Sequence, residues 1–123
     1  MKQVLIAEDD AAIRGVVAGV LVDEGYAVTA VENGQEALDS CHAQTPDVVL
    51  LDLMMPVLDG FEFLKKGKAG CRAPVIVMSA GFRLKQLPSE AKVAGFLEKP
   101  FDLVDLVATV ERVLVQPRPP AAS

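Results

Sequence analysis

The chain has 123 residues, of which 51% are apolar and 24% charged, and its formal net charge is -5. This length and composition predict a single folded domain and exclude an intrinsically disordered chain. The acidic balance argues against direct binding to nucleic acid, which needs a basic surface, and no apolar run approaches the length of a membrane span. The apolar run Val4–Ala7 is too short for a signal peptide, so we expect a cytoplasmic protein.

The first half of the chain alternates apolar runs of strand length with segments that have the apolar spacing of a helix. Asn33 followed by Glu36 is a capping pattern that begins a helix. Val48–Leu51 is apolar at every position, as a central strand of a parallel sheet should be. On the first helix, the predicted apolar face consists of Ile13, Val16, Val17, Val20 and Leu21. In chain order the predicted elements are a strand at Val4–Ala7, a helix at Ala11–Asp23, a strand at Ala27–Val31, a helix from Asn33 to about Ala43 and a strand at Val48–Leu51.

The second half continues this alternation with shorter predicted helices. Pro88 is tolerated only near the start of a helix, so the segment around it is predicted to form a short or irregular helix. Gly67 and Gly70 are predicted to end the helix that precedes them. In chain order the predicted elements are a helix at Phe61–Lys66, a strand at Val75–Met78, a helix at about Pro88–Val93, a strand at Gly95–Glu98 and a last helix at Leu103–Val115 that Asp102 caps.

Strands interleaved with helices predict an α/β fold with crossover connections, a parallel sheet and helices on both of its faces. We assign residues 1–115 to this domain. Residues 116–123 include Pro117, Pro119 and Pro120, which cannot continue a helix, so this segment is predicted to be a disordered tail or the start of a linker.

Polar residues follow four of the predicted strands at the point where each strand ends. Glu8-Asp9 follow the first strand, Asp52 the third, Ser79 the fourth and Lys99 the fifth. Because the carboxyl ends of parallel strands meet at one edge of the sheet, we expect these side chains to converge in one crevice. Carboxylates, a hydroxyl and an ammonium at one place suit a magnesium site beside a phosphoryl group.

These motifs resemble those of the receiver domains of two-component response regulators, chemotaxis regulators among them. The similarity covers Met1 to about Val115, and it implies a flavodoxin-like, doubly wound, five-stranded parallel sheet with strand order 2-1-3-4-5. The motifs that carry the resemblance are Glu8-Asp9, Asp52 with Pro56 and Gly60, Ser79-Ala80, and Lys99-Pro100-Phe101.

The resemblance implies that Asp52 is the phosphoacceptor, with a sensor histidine kinase or a histidine phosphotransfer protein as the donor. Lys99 and Ser79 would contact the phosphoryl oxygens, and the Lys99–Pro100 bond is commonly cis in the family. Ser79 and Phe96 would form a switch, in which the phenylalanine turns inward as the serine moves toward the phosphate. A downstream protein or a fused output domain would recognise the result.

The resemblance also implies a metal site for Mg²⁺, with Mn²⁺ as an alternative. Its ligands would be Glu8, Asp9, Asp52 and the backbone carbonyl of Met54, with Asp9 a direct ligand and Glu8 acting mainly through water. Asp10 follows this acid pair, and we interpret it as the cap of the first helix.

Three other residues are interpreted without a functional role. His42, the only histidine, is expected to be a surface residue. Cys41 and Cys71 have neither the spacing of a metal site nor that of a disulfide framework, so we expect them to be small, partly buried residues with free thiols.

Two other functions stay open from the sequence. The chain could be a constitutive interaction module that keeps the fold without phosphorylation, although the full set of site residues argues against it. It could also be a phosphatase with an aspartyl-phosphate intermediate, although Met54 stands where such enzymes generally carry a second aspartate. As a receiver, it would catalyse its own phosphorylation and slow dephosphorylation rather than turn over an external substrate. Outer residues of the last helix, Val104 and Ala108, could join a dimer.

Overall fold

A single parallel sheet organises the computed structural model, which describes residues 1–79, 87 and 93–115. The strands lie in the order β2-β1-β3-β4-β5, as the resemblance implies. Every neighbouring pair of strands is parallel. Each connection between consecutive strands must therefore run back from the carboxyl end of one strand to the amino end of the next. The strands are β1 Gln3–Ala7, β2 Ala27–Val31, β3 Val48–Asp52, β4 Val75–Ser79 and β5 Val93–Glu98.

Side-chain caps mark the starts of the second helix, where the sequence predicts one, and of the third helix, where it does not. Asn33 accepts a hydrogen bond from the amide of Glu36 at 2.9 Å, and Asp59 caps the third helix by accepting one from the amide of Glu62 at 2.9 Å. Within the described residues, no helix is long and apolar enough to cross a membrane. The helices are α1 Ala11–Asp23, α2 Gly34–Ala43, α3 Gly60–Lys65, α4 Gly67–Gly70 and α5 Leu103–Val115.

The core has two halves, one on each face of the sheet. Successive strand residues point to opposite faces, so Leu50 and Leu51 of β3 belong to different halves. The half that contains Leu50 is covered by α1 and α5, and the other half by α2 and α3. From the helices, the buried residues are Val17, Leu21, Leu106, Val110 and Val113 on the first face, and Ala37, Leu38, Cys41, Phe63 and Leu64 on the second.

The predicted apolar face of α1 is broader than the buried face. Val17 and Leu21 are buried, whereas Val16 is 52% exposed. A helix that lies on a sheet buries a stripe of residues three to four apart, and Val16 lies about 100° around the helix from Val17, beyond the edge of that stripe.

One predicted boundary is wrong. Val93, assigned to a helix at Pro88–Val93, begins β5, because Val75 pairs with Val93 and Ile76 with Gly95, which leaves Ala94 as an extra residue in a bulge. The rest of that predicted helix lies outside the described residues. The third helix ends just before Gly67, as expected, but the single-turn helix α4 from Gly67 to Gly70 is not predicted by the sequence.

The cysteines are joined in a disulfide, contrary to the expectation of free thiols. Cys41 lies in the last turn of α2 and Cys71 directly follows α4. Their Cα atoms are 5.5 Å apart, a separation that suits a disulfide. The two residues are 30 positions apart in the chain, and only the packing of α2 against α4 brings them together.

Candidate functional site

The carboxyl-terminal edge of the sheet collects the residues that the sequence singles out. Asp52 and Ser79 are the last residues of β3 and β4, while Glu8 and Lys99 directly follow β1 and β5. Strand register aligns these ends, because Ala7 pairs with Leu51 and Asp52 pairs with Met78. The candidate site is therefore built by neighbouring strands that all end at the same level.

Lys99 links two buried carboxyl groups in this site. Its Nζ lies 2.7 Å from Oε1 of Glu8 and 3.5 Å from Oδ1 of Asp52. Glu8 is 1% exposed and Asp52 is 4% exposed, so both carboxylates have lost most of their water. Buried charges need a partner of opposite sign, and the ammonium of Lys99 supplies one to both acids.

Protonation equilibria in the site reflect this crowding. Burial, together with the hydrogen-bonding and charged Glu8 carboxyl beside it, raises the pKa of Asp52 from 3.8 to about 7, against the opposing effects of Lys99 and the Met54 amide. Burial lowers the pKa of Lys99, but its hydrogen bond to Glu8 and the charges of Asp52 and Glu8 outweigh that effect and raise it overall. Near neutral pH, a further positive charge would therefore help to ionise Asp52.

Glu8, Asp9 and Asp52 form a cluster of acids that suits a metal ion. One carboxylate oxygen from each lies within 4.8 Å of the others. Hard oxygen donors are the ligands that Mg²⁺ prefers, and the exposed Asp9 leaves an open side for the water molecules that this ion retains. Met54, the fourth expected ligand, follows in the same loop, and its amide donates to Oδ1 of Asp52 at 3.2 Å.

Asp10 has the structural role that we expect from the sequence. Its Oδ1 accepts hydrogen bonds from the amides of Ala12 at 2.9 Å and Ile13 at 3.1 Å, which caps α1. Its own amide donates to Oε2 of Glu8 at 3.2 Å. Asp10 thus uses its side chain on the helix, while its backbone helps to hold Glu8 in place.

The two predicted switch residues occupy different environments. Ser79 is 3% exposed and ends β4 at the same edge of the sheet as Asp52, and its carbonyl accepts the amide of Lys99 at 2.9 Å. Phe96 lies on β5 and is 48% exposed. The Lys99–Pro100 peptide bond is cis, as is common in the family that the sequence resembles.

Arg14 is a site residue that the sequence analysis missed. Its Nη1 donates to the backbone carbonyl of Glu8 at 2.8 Å and to that of Asp9 at 3.3 Å. The available signal was its isolation, because Arg14 is the only charged residue between Ala11 and Val22. By contrast His42, expected at the surface, is exposed there, with its Nε2 3.3 Å from the carbonyl oxygen of Ala69.

Comparison with known proteins agrees with this geometry. The family model described as the response regulator receiver domain matches residues 4–111. The chain is 40% identical over 114 residues to the DNA-binding transcriptional regulator NtrC of Escherichia coli K12, an alignment that covers 90% of this chain and 24% of NtrC. The chain therefore spans about a quarter of the length of this curated relative.

Solved structures of similar size share the same fold. The chemotaxis response regulator CheY4 of Vibrio cholerae superposes with a TM-score of 0.82 at 33% identity, covering 92% of this chain and 98% of CheY4. The receiver domain of the sensor histidine kinase PA1611 of Pseudomonas aeruginosa, with a magnesium ion coordinated in its active site cleft, superposes with a TM-score of 0.84 at 30% identity. That superposition covers 94% of this chain and 98% of the PA1611 domain.

Proposed function

The chain belongs to the response regulator receiver family, and we propose that it accepts a phosphoryl group on Asp52 in a Mg²⁺-dependent reaction. The donor would be the phosphohistidine of a sensor kinase or of a histidine phosphotransfer protein. The observation that carries this proposal is the position of Asp52, which is buried at the sheet edge, 3.5 Å from the ammonium of Lys99 and within a cluster of three carboxylates.

In the proposed transfer, a carboxylate oxygen of Asp52 forms a bond to phosphorus while the bond from phosphorus to the donor nitrogen breaks. The product is an acyl phosphate, and the donor imidazole leaves with its electron pair. Mg²⁺ bound by Glu8, Asp9, Asp52 and the Met54 carbonyl would neutralise charge on the phosphoryl oxygens.

Lys99 supplies the second positive charge in this proposal. Its ammonium already contacts Asp52 and is held against Glu8. It therefore needs little movement to donate a hydrogen bond to a phosphoryl oxygen on Asp52, which preorganises the site for the transition state.

The response to phosphorylation would start at Ser79 and end at the surface. Ser79 lies at the same sheet edge as Asp52, so its hydroxyl would donate to a phosphoryl oxygen. Phe96, now half exposed on the neighbouring strand, would then turn inward and change the surface that a partner contacts. That partner would be a downstream protein or an output domain attached beyond residue 115, with residues 116–123 as the linker.

The proposal is tested by intact mass after incubation with acetyl phosphate, with and without Mg²⁺. We expect one phosphoryl adduct on the native chain, and none on Asp52→Asn or without Mg²⁺. Asp10→Asn is the matched control, because it removes a neighbouring negative charge while asparagine still caps α1; it should form the adduct.

Two outcomes would contradict the proposal. A native chain that gains no adduct from acetyl phosphate or from phosphohistidine kinases would be a constitutive interaction module. A chain that hydrolyses many equivalents of a phosphate ester would instead be a phosphatase with an aspartyl-phosphate intermediate.

A further inference from the structure

Arg14 connects α1 to the backbone of the acid pair, Glu8 and Asp9. Its side chain is 18% exposed, and Nη1 donates to the carbonyls of Glu8 and Asp9 at 2.8 and 3.3 Å. Its Nη2 lies 3.4 Å from Oε1 of Glu32, in the loop after β2. One guanidinium therefore joins three segments: the end of β1, the first turns of α1 and the β2–α2 loop.

Arg14 contacts the peptide units of the two acids rather than their carboxylates. The Glu8 carboxylate is separately held, since Lys99 Nζ donates to Oε1 at 2.7 Å and the Asp10 amide donates to Oε2 at 3.2 Å. The Asp9 side chain is exposed, so the direction of its carboxylate depends strongly on the backbone that carries it. Arg14 fixes that backbone.

We infer that Arg14 is a positioning residue for the metal site: by holding the carbonyls of Glu8 and Asp9, it presets their carboxylates for Mg²⁺. The inference rests on the proposed function, because it assigns a role in the same site. Groups that orient metal ligands through hydrogen bonds typically change metal affinity by about 10- to 100-fold when they are removed.

Charge and positioning predict opposite signs for this arginine. A cation next to the acid pair repels Mg²⁺, so removal of its charge alone would tighten Mg²⁺ binding. Loss of backbone positioning would weaken it. The sign of the change in Mg²⁺ affinity therefore separates a positioning role from a purely electrostatic one, and a packing role in α1 would leave the affinity of the folded protein unchanged.

The experiment compares Mg²⁺ dissociation constants of the native chain, Arg14→Met and Arg14→Lys, from titrations followed by backbone amide chemical shifts. We expect Arg14→Met to bind Mg²⁺ about tenfold more weakly than native. Arg14→Lys should fall between the two, because an ammonium can donate to a carbonyl but cannot span two with one planar group. Amide hydrogen exchange at Asp9 and Asp10 of metal-free Arg14→Met should be faster than in the native chain.

Arg72→Met is the matched control, because it removes the same charge from an exposed arginine that precedes β4, at the opposite edge of the sheet. It should change the Mg²⁺ dissociation constant less than twofold, or about 0.4 kcal/mol. If Arg14→Met does not fold, Arg14→Lys decides the question, because lysine keeps the positive charge and weaker Mg²⁺ binding would then come from the loss of positioning.

Unchanged or tighter Mg²⁺ binding in the folded Arg14 variant would overturn the inference. The native chain is tested for Mg²⁺ binding and for the Asp52 adduct in the same preparation. A native chain that neither binds Mg²⁺ nor forms the adduct would count against the proposed function. A native chain that does both, with an Arg14 variant of unchanged Mg²⁺ affinity, would count against the role of Arg14 alone.

Discussion

The two ends of the sheet are stabilised in different ways. At the carboxyl-terminal edge, Glu8, Asp52 and Lys99 bury charged groups that remain partly unfavourable, and the pKa of Asp52 is raised to about 7. At the opposite edge, the Cys41–Cys71 disulfide joins α2 to the segment after α4 within an apolar core. The site end thus keeps buried charges that destabilise the fold, whereas the far end is held by a covalent link and apolar packing, away from the residues of the proposed reaction.

Close packing accompanies the covalent link at the far end. Gly70 of α4 lies so near α2 that a Cβ there would come within 2.9 Å of Cδ2 of Leu38. The Nε2 of His42 lies 3.3 Å from the carbonyl oxygen of Ala69. Contacts of α2 with α4 are therefore tight on both sides of Cys41, and they are remote from the residues that would handle phosphate.

The largest effect is expected from Lys99→Met at the site end. The variant lacks the ammonium that contacts Asp52, so its rate of phosphorylation by acetyl phosphate should fall by about 10²- to 10³-fold. Lys65→Met, which removes an exposed lysine paired with Glu62 at 3.7 Å, should react at the native rate. Similar phosphorylation rates for the two variants would show that Lys99 does not take part in the proposed transfer.

The disulfide should affect stability and leave the chemistry unchanged. Closing a loop between residues 30 positions apart restricts the unfolded chain, so Cys41→Ala/Cys71→Ala should lose about 3–4 kcal/mol of unfolding free energy. Urea unfolding with and without a reductant measures this loss, and reductant should destabilise only the native chain. A large change in the rate of Asp52 phosphorylation would contradict the separation of the two ends.

The pH dependence of stability tests how much the ionised Asp52 carboxylate destabilises the folded state. Its folded pKa of about 7 lies above its ordinary value of 3.8, so the folded state binds the proton more tightly. The resulting stability is complete below pH 4 and is lost as the pH rises through 7. We expect Asp52→Asn to be more stable than the native metal-free chain at pH 8 by up to about 4 kcal/mol, because the shift is about three pKa units and each unit corresponds to about 1.4 kcal/mol.

Urea unfolding at pH 4 and pH 8 measures this difference. The advantage of Asp52→Asn should shrink toward pH 4, where both chains carry a neutral side chain at position 52. An equal advantage at both pH values would assign the effect to packing rather than to ionisation.

The smallest expected effect lies in the loop that follows Asp52. Val57 has a φ of 66° and is 84% exposed, a backbone conformation that is unfavourable for a β-branched residue. Val57→Gly should raise the unfolding free energy by about 0.5–1 kcal/mol, since relief of the strain exceeds the entropy that glycine loses. Val57→Ala should gain less. If Val57→Gly were less stable than the native chain, the backbone conformation of Val57 would not be a source of strain at the site end.

Features that depend on neighbouring residues in the chain were predictable. Asn33 with Glu36 fixed the start of α2, and the apolar runs located the strands because a buried parallel strand needs apolar residues on both faces. The convergence of Glu8, Asp52 and Lys99 followed from the geometry of a parallel sheet. The resemblance then supplied the strand order.

The errors arose where distant packing decides the outcome. The exposure of Val16 depends on how α1 lies on the sheet, and the strand position of Val93 depends on its pairing with Val75. Cys41 and Cys71 meet only because α2 packs against α4. Arg14 was missed because the contacts that place it at the site are to backbone carbonyls, which no side-chain motif reveals.

The most direct test of the account is the location of the phosphoryl group. Borohydride reduces an aspartyl phosphate to homoserine, so the chain is treated with acetyl phosphate and Mg²⁺, reduced, digested and analysed by peptide mass spectrometry. We predict homoserine at position 52 alone, in the native chain and in Cys41→Ala/Cys71→Ala. Homoserine at another aspartate, such as Asp9, or an unmodified Asp52 in a chain that carries the adduct, would contradict the central claim.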